Sequence, residues 1–276
     1  MLLRYAVIGL LIILPCTSSD AASTTNARDR NDLIGPVRTV TTKGSGSSET
    51  ETYDTEGNLV EAVIYLEQEK TSTRYLFAHN HQGKLLEENA YGGDGKLMYR
   101  NLFAYGYDSK GRETAVVAAS PDGTFSHAEF STYDQRGYLS EKVYSDASGV
   151  NRNVFDVQGH MVYSARFKDS QLFSEAKFSY DGSGRVMELV SYGPTGEVTG
   201  KTLNEYDDSG RRIRRTAERF QQGATGKSVT TYEYDSVGNW IKAVMKNESD
   251  ASAEVSTAAA PNRIVQERVI VYHRRF

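Results

Sequence analysis

From about residue 33 onward, apolar and polar side chains alternate in short runs, as in Leu59, Val63 and Tyr65, in Leu85 and Leu97, and in Val186, Leu189 and Val190. A period of two puts one row of side chains on each face of an extended chain, so these runs predict β-strands of about seven to ten residues. Glycine-containing turns separate them, and no helical periodicity is sustained after the N-terminal segment. The expected fold class is all-β: an antiparallel β-hairpin repeat array, formed as a single sheet that meanders, curls or winds like a solenoid.

One turn motif organises the array. It reads Tyr53-Asp54-x-x-Gly57, Tyr107-Asp108-x-x-Gly111, Tyr133-Asp134-x-x-Gly137, Phe155-Asp156-x-x-Gly159, Tyr180-Asp181-x-x-Gly184, Tyr206-Asp207-x-x-Gly210 and Tyr234-Asp235-x-x-Gly238, with His79-Asn80-His81-Gln82-Gly83 as a degenerate copy. The glycines fall roughly 22 to 28 residues apart, the range of solenoids and arrays. Asp accepts hydrogen bonds from amides two or more residues on, and Gly takes the left-handed position that closes a hairpin. Weaker turns at Gly93-Asp94-Gly95, Pro121-Asp122-Gly123, Ala147-Ser148-Gly149 and Pro194-Thr195-Gly196 make each repeat two strands and two turns. On the same strand face before the motif's first residue, Tyr105, Tyr232 and Phe178, and Tyr75 with Phe77 in the degenerate repeat, predict a ladder of rings between neighbouring strands.

Composition suits a thin structure. Eighteen Tyr against ten Phe and one Trp give apolar bodies with polar tips, which fit half-exposed sheet faces better than a dry core. A net charge of -4 supplies no field for nucleic acid. Met1 to Arg4 and the apolar run Tyr5 to Pro15 read as a signal peptide ending near residue 21, too short for a permanent span, followed by a flexible linker over 22–32. The repeat domain is expected over 33–276, with a mobile loop at 247–262, a Gly/Ser-rich loop at 43–48 and a final strand from Arg263 to Tyr272. The charged tail His273-Arg274-Arg275 suits the guarding of a sheet edge. The expected location is outside the cytoplasm: periplasm, cell surface or secreted. Cys16 is the only cysteine, and removal with the signal is favoured over a lipid anchor because Pro15 stands where small residues are usual. The repeat domain therefore has neither a disulfide nor a thiol nucleophile.

With their sixth residues, Tyr53 to Asn58, Tyr107 to Arg112, Tyr180 to Arg185 and Tyr234 to Trp240 resemble the signature of the YD-repeat proteins, which are related to the RHS family. The resemblance runs from about Leu33 onward and implies an all-β repeat sheet. In long members such strands wind into a shell that often encloses a toxin, or present a surface to carbohydrate or heparin. This chain is shorter, lacks the variable C-terminal toxin segment, and carries few repeats for a shell, so it resembles small exported members.

The residues offer little catalytic chemistry. Seven near-identical aspartates at seven turns indicate a structural role, whereas an acid/base pair needs two different environments. His79 and His81 form a His-x-His pair without evident further ligands, so no metal and no cofactor is expected. Arg211, Arg212, Arg214 and Arg215 should divide between two strand faces around Ile213. The expected function is an exported, non-catalytic binding or structural module at the cell envelope, with carbohydrate or an envelope protein as partner. The alternatives are an outer-membrane β-barrel and a hydrolase whose site assembles only in the fold.

Overall fold

The computed structural model describes residues 33–221, 224–249 and 263–273; the expected signal peptide and linker, most of the loop at 247–262, and Arg274 and Arg275 lie outside them. Eighteen strands follow in order. They are β1 (Val37–Gly44), β2 (Ser47–Tyr53), β3 (Leu59–Leu66), β4 (Thr71–His79), β5 (Leu85–Tyr91), β6 (Leu97–Tyr107), β7 (Glu113–Ala119), β8 (Ser126–Tyr133) and β9 (Leu139–Asp146). The second half comprises β10 (Gly149–Phe155), β11 (Met161–Lys168), β12 (Gln171–Tyr180), β13 (Val186–Tyr192), β14 (Val198–Tyr206), β15 (Arg212–Gln221), β16 (Ala224–Tyr234), β17 (Trp240–Ser249) and β18 (Arg263–Tyr272). No helix occurs among the described residues.

Each strand pairs antiparallel with the next, and β1 also pairs with β18 through Val40↔Ile270 and its neighbours. The sheet is a closed barrel. This corrects the expectation of an open meander or solenoid and of too few repeats to close. It also removes the expected edge, because β18 is covered by β1 and His273 donates its backbone N–H to the Pro36 carbonyl at 2.7 Å. Closure is the architecture of the β-barrel alternative rather than of an open binding array.

Repetition explains the closure. All eight motif turns follow even-numbered strands and so lie at one rim, where the start of β1 and the end of β18 also meet. At each of them the register slips by a β-bulge beside the motif's first residue, as at Thr52/Tyr53, Ser179/Tyr180 and Glu233/Tyr234. A bulge bends its strand and increases local twist, so eight equivalent bulges curve the sheet the same way until its ends meet. Further irregularities lie at Ala90/Tyr91, Arg166/Phe167 and Ser191/Tyr192, toward the opposite rim, and one between Val37 and Thr39 marks the seam.

The two faces differ. Val40, Tyr53, Ala62, Ala90, Ala118 and Ala243 share one face and are almost fully buried, whereas Tyr65, Leu102, Val117, Phe130, Leu203 and Val269 on the other are all more than a third exposed. The crowded face is the concave, inner wall. One registered inner row, Val40–Glu51–Ala62–Tyr75–Ala90–Tyr99, shows the packing: long side chains lie over alanines on the strands between them. At the seam Leu33, Val37, Val40 and Tyr53 are buried against Leu59, Ile270 and Tyr272, forming the one compact hydrophobic cluster among the described residues.

Other expectations resolve locally. The Gly/Ser-rich stretch at 43–48 is mostly strand, with only Ser45 and Gly46 between β1 and β2. His79 ends β4 while His81 sits in the turn, so the two do not share a strand face; Asn80 takes the motif Asp role, its Oδ1 accepting from the Gln82 and Lys84 amides. The weaker turns all lie at the opposite rim.

Candidate functional site

The motif residues Asp54, Asp108, Asp134, Asp156, Asp181, Asp207 and Asp235 open the turns at this rim. Asp181 shows the pattern: its amide donates to the Arg185 carbonyl at 3.0 Å, its Oδ1 accepts the Ser183 and Arg185 amides, and Gly184 donates back to the Asp181 carbonyl. Gly57, Gly83, Gly111, Gly137, Gly159, Gly184, Gly210 and Gly238 all have positive φ. Asp108, Asp134 and Asp207 are held below the usual carboxylate range chiefly by the backbone amide four residues on, and Asp181 chiefly by the Arg185 side chain. Each of these carboxylates accepts an amide of its own turn through Oδ1.

The sixth motif residue links one turn to the next, a role the sequence reading did not assign. Arg112, Arg185 and Arg211 each pair with their own Asp and lie over the following repeat's ring, at 4.3 Å from Tyr133, 4.8 Å from Tyr206 and 5.4 Å from Tyr234. His160 stacks on Tyr180 at 4.6 Å in the same way. The motif hydroxyl then returns to the first residue after the preceding motif: Tyr133 to the Glu113 carbonyl, Tyr180 to Met161, Tyr206 to Val186 and Tyr234 to Arg212, all within 2.9 Å. In the repeat of Tyr107, Tyr105 makes this bond, to Leu85, and Lys84 lies over both rings. The expected ladder of rings is thus largely a ladder of cation and ring, because Arg112, Arg185 and Arg211 each satisfy both the turn Asp and the aromatic quadrupole. Tyr53 differs, being buried in the seam cluster, and Phe155 has no hydroxyl to return. At the seam Asn239 stands in for arginine: it is 1% exposed, accepts the Ile34 amide at 2.7 Å, and donates to the Ile34 carbonyl and the Tyr272 hydroxyl. Tyr272 in turn donates to Asp235, so Ile34 and the end of β18 form a ninth unit of the ring.

The outer wall is laced with charge. Glu61–Arg74, Glu87–Arg100, Glu141–Arg152, Glu188–Lys201, Glu205–Arg214, Lys227–Glu248 and Lys242–Glu267 pair across neighbouring strands, distributed around the barrel. The arginine cluster divides as expected: Arg214 faces out, Arg215 falls on the inner face, and Arg212 lies over Tyr232 at 4.9 Å.

The inner wall is polar and aromatic, and its charge is unevenly distributed. On β2 to β6 its charged residues are Glu49, Glu51 and Glu88, while β11 to β18 place Arg166, Arg215, Arg219 and Arg268 there and no carboxylate among the described residues. Burial raises Glu49 and Glu51 above the usual carboxylate range, against the pull of Arg268, which lies 3.6 Å over the Trp240 ring. Tyr99 donates to Glu88 at 2.8 Å, and burial together with the Glu88 charge raises the phenol. Among the described residues no group of three His, Cys, Asp or Glu is placed to hold a metal ion.

No protein-family model matches the chain, and no curated protein matches it in sequence. Among solved structures the chain is similar to a porin-like protein from Bacteroides uniformis, at 10% identity and a TM-score of 0.43 over 86% of this chain and 98% of that one. It is also similar to TcdB2-TccC3-TEV, at 14% identity and a TM-score of 0.32 over 79% of this chain and 14% of that one. For TcdB2-TccC3 without its hypervariable C-terminal region the identity is 14% and the TM-score 0.25, over 81% and 15%.

Proposed function

We propose that this chain is an exported, non-catalytic barrel that works outside the cytoplasm with its outer wall in water, as a binding module whose lumen receives a polar ligand. The observation that carries this reading is the set of cross-strand ion pairs on the outer wall. A lysine or arginine facing lipid at the bilayer midplane costs about 2–4 kcal/mol, and pairing recovers only part of that, whereas in water the same pairs keep a single-layer sheet soluble. The absence of catalysis is supported by the engagement of every motif carboxylate in its own turn.

The second reading, an outer-membrane barrel, is favoured by closure, by an even number of antiparallel strands and by strands of 7 to 11 residues, about the length that spans a bilayer when tilted. One experiment separates the two. The secreted chain is purified without detergent and its size compared with and without lipid vesicles. A monodisperse, vesicle-free species supports the aqueous barrel; stable insertion, with migration on gels that depends on heating, would replace it with the membrane reading.

A further inference from the structure

Resting on that reading of the lumen as a binding space, we propose that the inner wall of β2 to β6 holds an organic ammonium ion, with Glu88 and Glu49 as counter-charges and the Tyr75 and Tyr99 rings as its walls. The two rings lie 6.5 Å apart at 59°, on either side of the small Ala90. Such tilted pairs beside carboxylates attract cations through both ring quadrupole and charge.

Polar groups around the pair are mostly acceptors. Glu88 accepts the Tyr99 hydroxyl, and Glu49 feels the charge of Arg268. Asn101, 7% exposed and directly opposite Glu88 on the same inner face, has a buried Oδ1 with no hydrogen-bond donor. A carboxylate and an unmatched amide oxygen side by side want an N–H donor, which an ammonium supplies several times over. Arg268 does not take that role for Glu88: it stacks on Trp240 and lies on the far side of β1. A bare metal ion fits poorly, since no three ligands converge, whereas a cation with an aliphatic body can use the rings as well.

Putrescine is a suitable probe, with 1,4-butanediol as its neutral match, measured by calorimetry on the purified full barrel at about 10 mM ionic strength, where charges act over roughly 30 Å. The proposal expects saturable putrescine binding, no butanediol binding, and a weakening of about tenfold in the isosteric Glu88→Gln variant. Glu61→Gln, on the outer wall, should bind as the parent does. Absence of putrescine binding, equal binding of the diol, or an affinity insensitive to Glu88→Gln would overturn it. A soluble monomer that ignores putrescine would sink this inference alone, while insertion into vesicles would sink the aqueous reading and leave the putrescine titration to be judged in detergent.

Discussion

The motif tyrosine contributes through its hydroxyl as much as its ring, and two repeats offer a controlled comparison. The Met161 carbonyl receives the Tyr180 hydroxyl, whereas the Val186 carbonyl receives both the Tyr206 hydroxyl and the Asn204 amide at 2.9 Å. Removing the hydroxyl should therefore cost about 1 kcal/mol in Tyr180→Phe and clearly less in Tyr206→Phe, read as a shift of the urea midpoint at constant slope. Equal shifts would mean that the hydroxyls do not tie one repeat to the next. The aspartates set the acid limit. Asp122 is depressed to about 2 by the Ser120 hydroxyl and the Thr124 amide, and Asp108, Asp134, Asp181 and Asp207 are also lowered. Their stabilisation is present above the ordinary Asp pKa of about 3.9 and is lost as pH falls from there through their folded values. Glu49 and Glu51 act oppositely: raised in the fold, they favour folding most below about pH 4.3, and that contribution disappears as pH rises through their folded values. Thermal stability should thus rise on mild acidification from neutrality and collapse only below roughly pH 4, and Glu49→Gln should flatten the upper part of that profile. A monotonic fall from pH 7 would contradict the burial of these glutamates. Much of this was readable in the chain: Asp and Gly announce the turn chemistry by themselves. The link to the next ring was not, because the sixth residue varies among Asn, Lys, Arg, Tyr and His, and only the fold brings it over a Tyr some 21 to 23 residues later.

At the level of the hairpin, not every glycine has the same task. Gly111 has φ +77 and open space where a Cβ would sit, so Gly111→Ala should cost only the backbone strain, roughly 1 kcal/mol. Gly149 has φ +137 and a Cβ there would overlap the Phe167 carbonyl oxygen on the neighbouring strand, so Gly149→Ala must push β10 from β11 and should cost several-fold more. Comparable melting temperatures for the two variants would show that the β10–β11 ladder yields easily. Strand pairing also leaves a trace in sequence that pattern reading passed over. Glu61 and Arg74, Glu87 and Arg100, and Glu188 and Lys201 stand thirteen residues apart, the separation that a short hairpin turns into a diagonal contact on one face. Acid and base recurring at that interval predict pairing and register.

Closure is the property of the whole molecule that no window of sequence displays. Alternation and turns specify a sheet of any strand number; whether its ends meet depends on accumulated curvature and on a seam made by residues far apart, with Asn239 clasping Ile34 and Tyr272 completing the ring of motif units. A circular wall of eighteen strands spaced about 4.8 Å and tilted about 40° would be roughly 35 Å across its backbone, wide enough for a solvated lumen. Two deletions distinguish a closed ring from an array. Excising residues 160–184 joins Gly159 to Arg185, preserves the motif and removes two strands, and the remaining sixteen can still close at slightly tighter curvature. Ending the chain after Ser249 also leaves most repeats intact, yet it strips Ile270 and Tyr272 from the seam cluster and turns β1 and β17 into edges. In an open array the terminal loss would be the milder one, since each repeat contacts only its neighbours. In this barrel the excised chain should remain a compact monomer by scattering, with a radius about a ninth smaller, while the truncated chain aggregates; the reverse ranking would mean that the seam does not hold the molecule together.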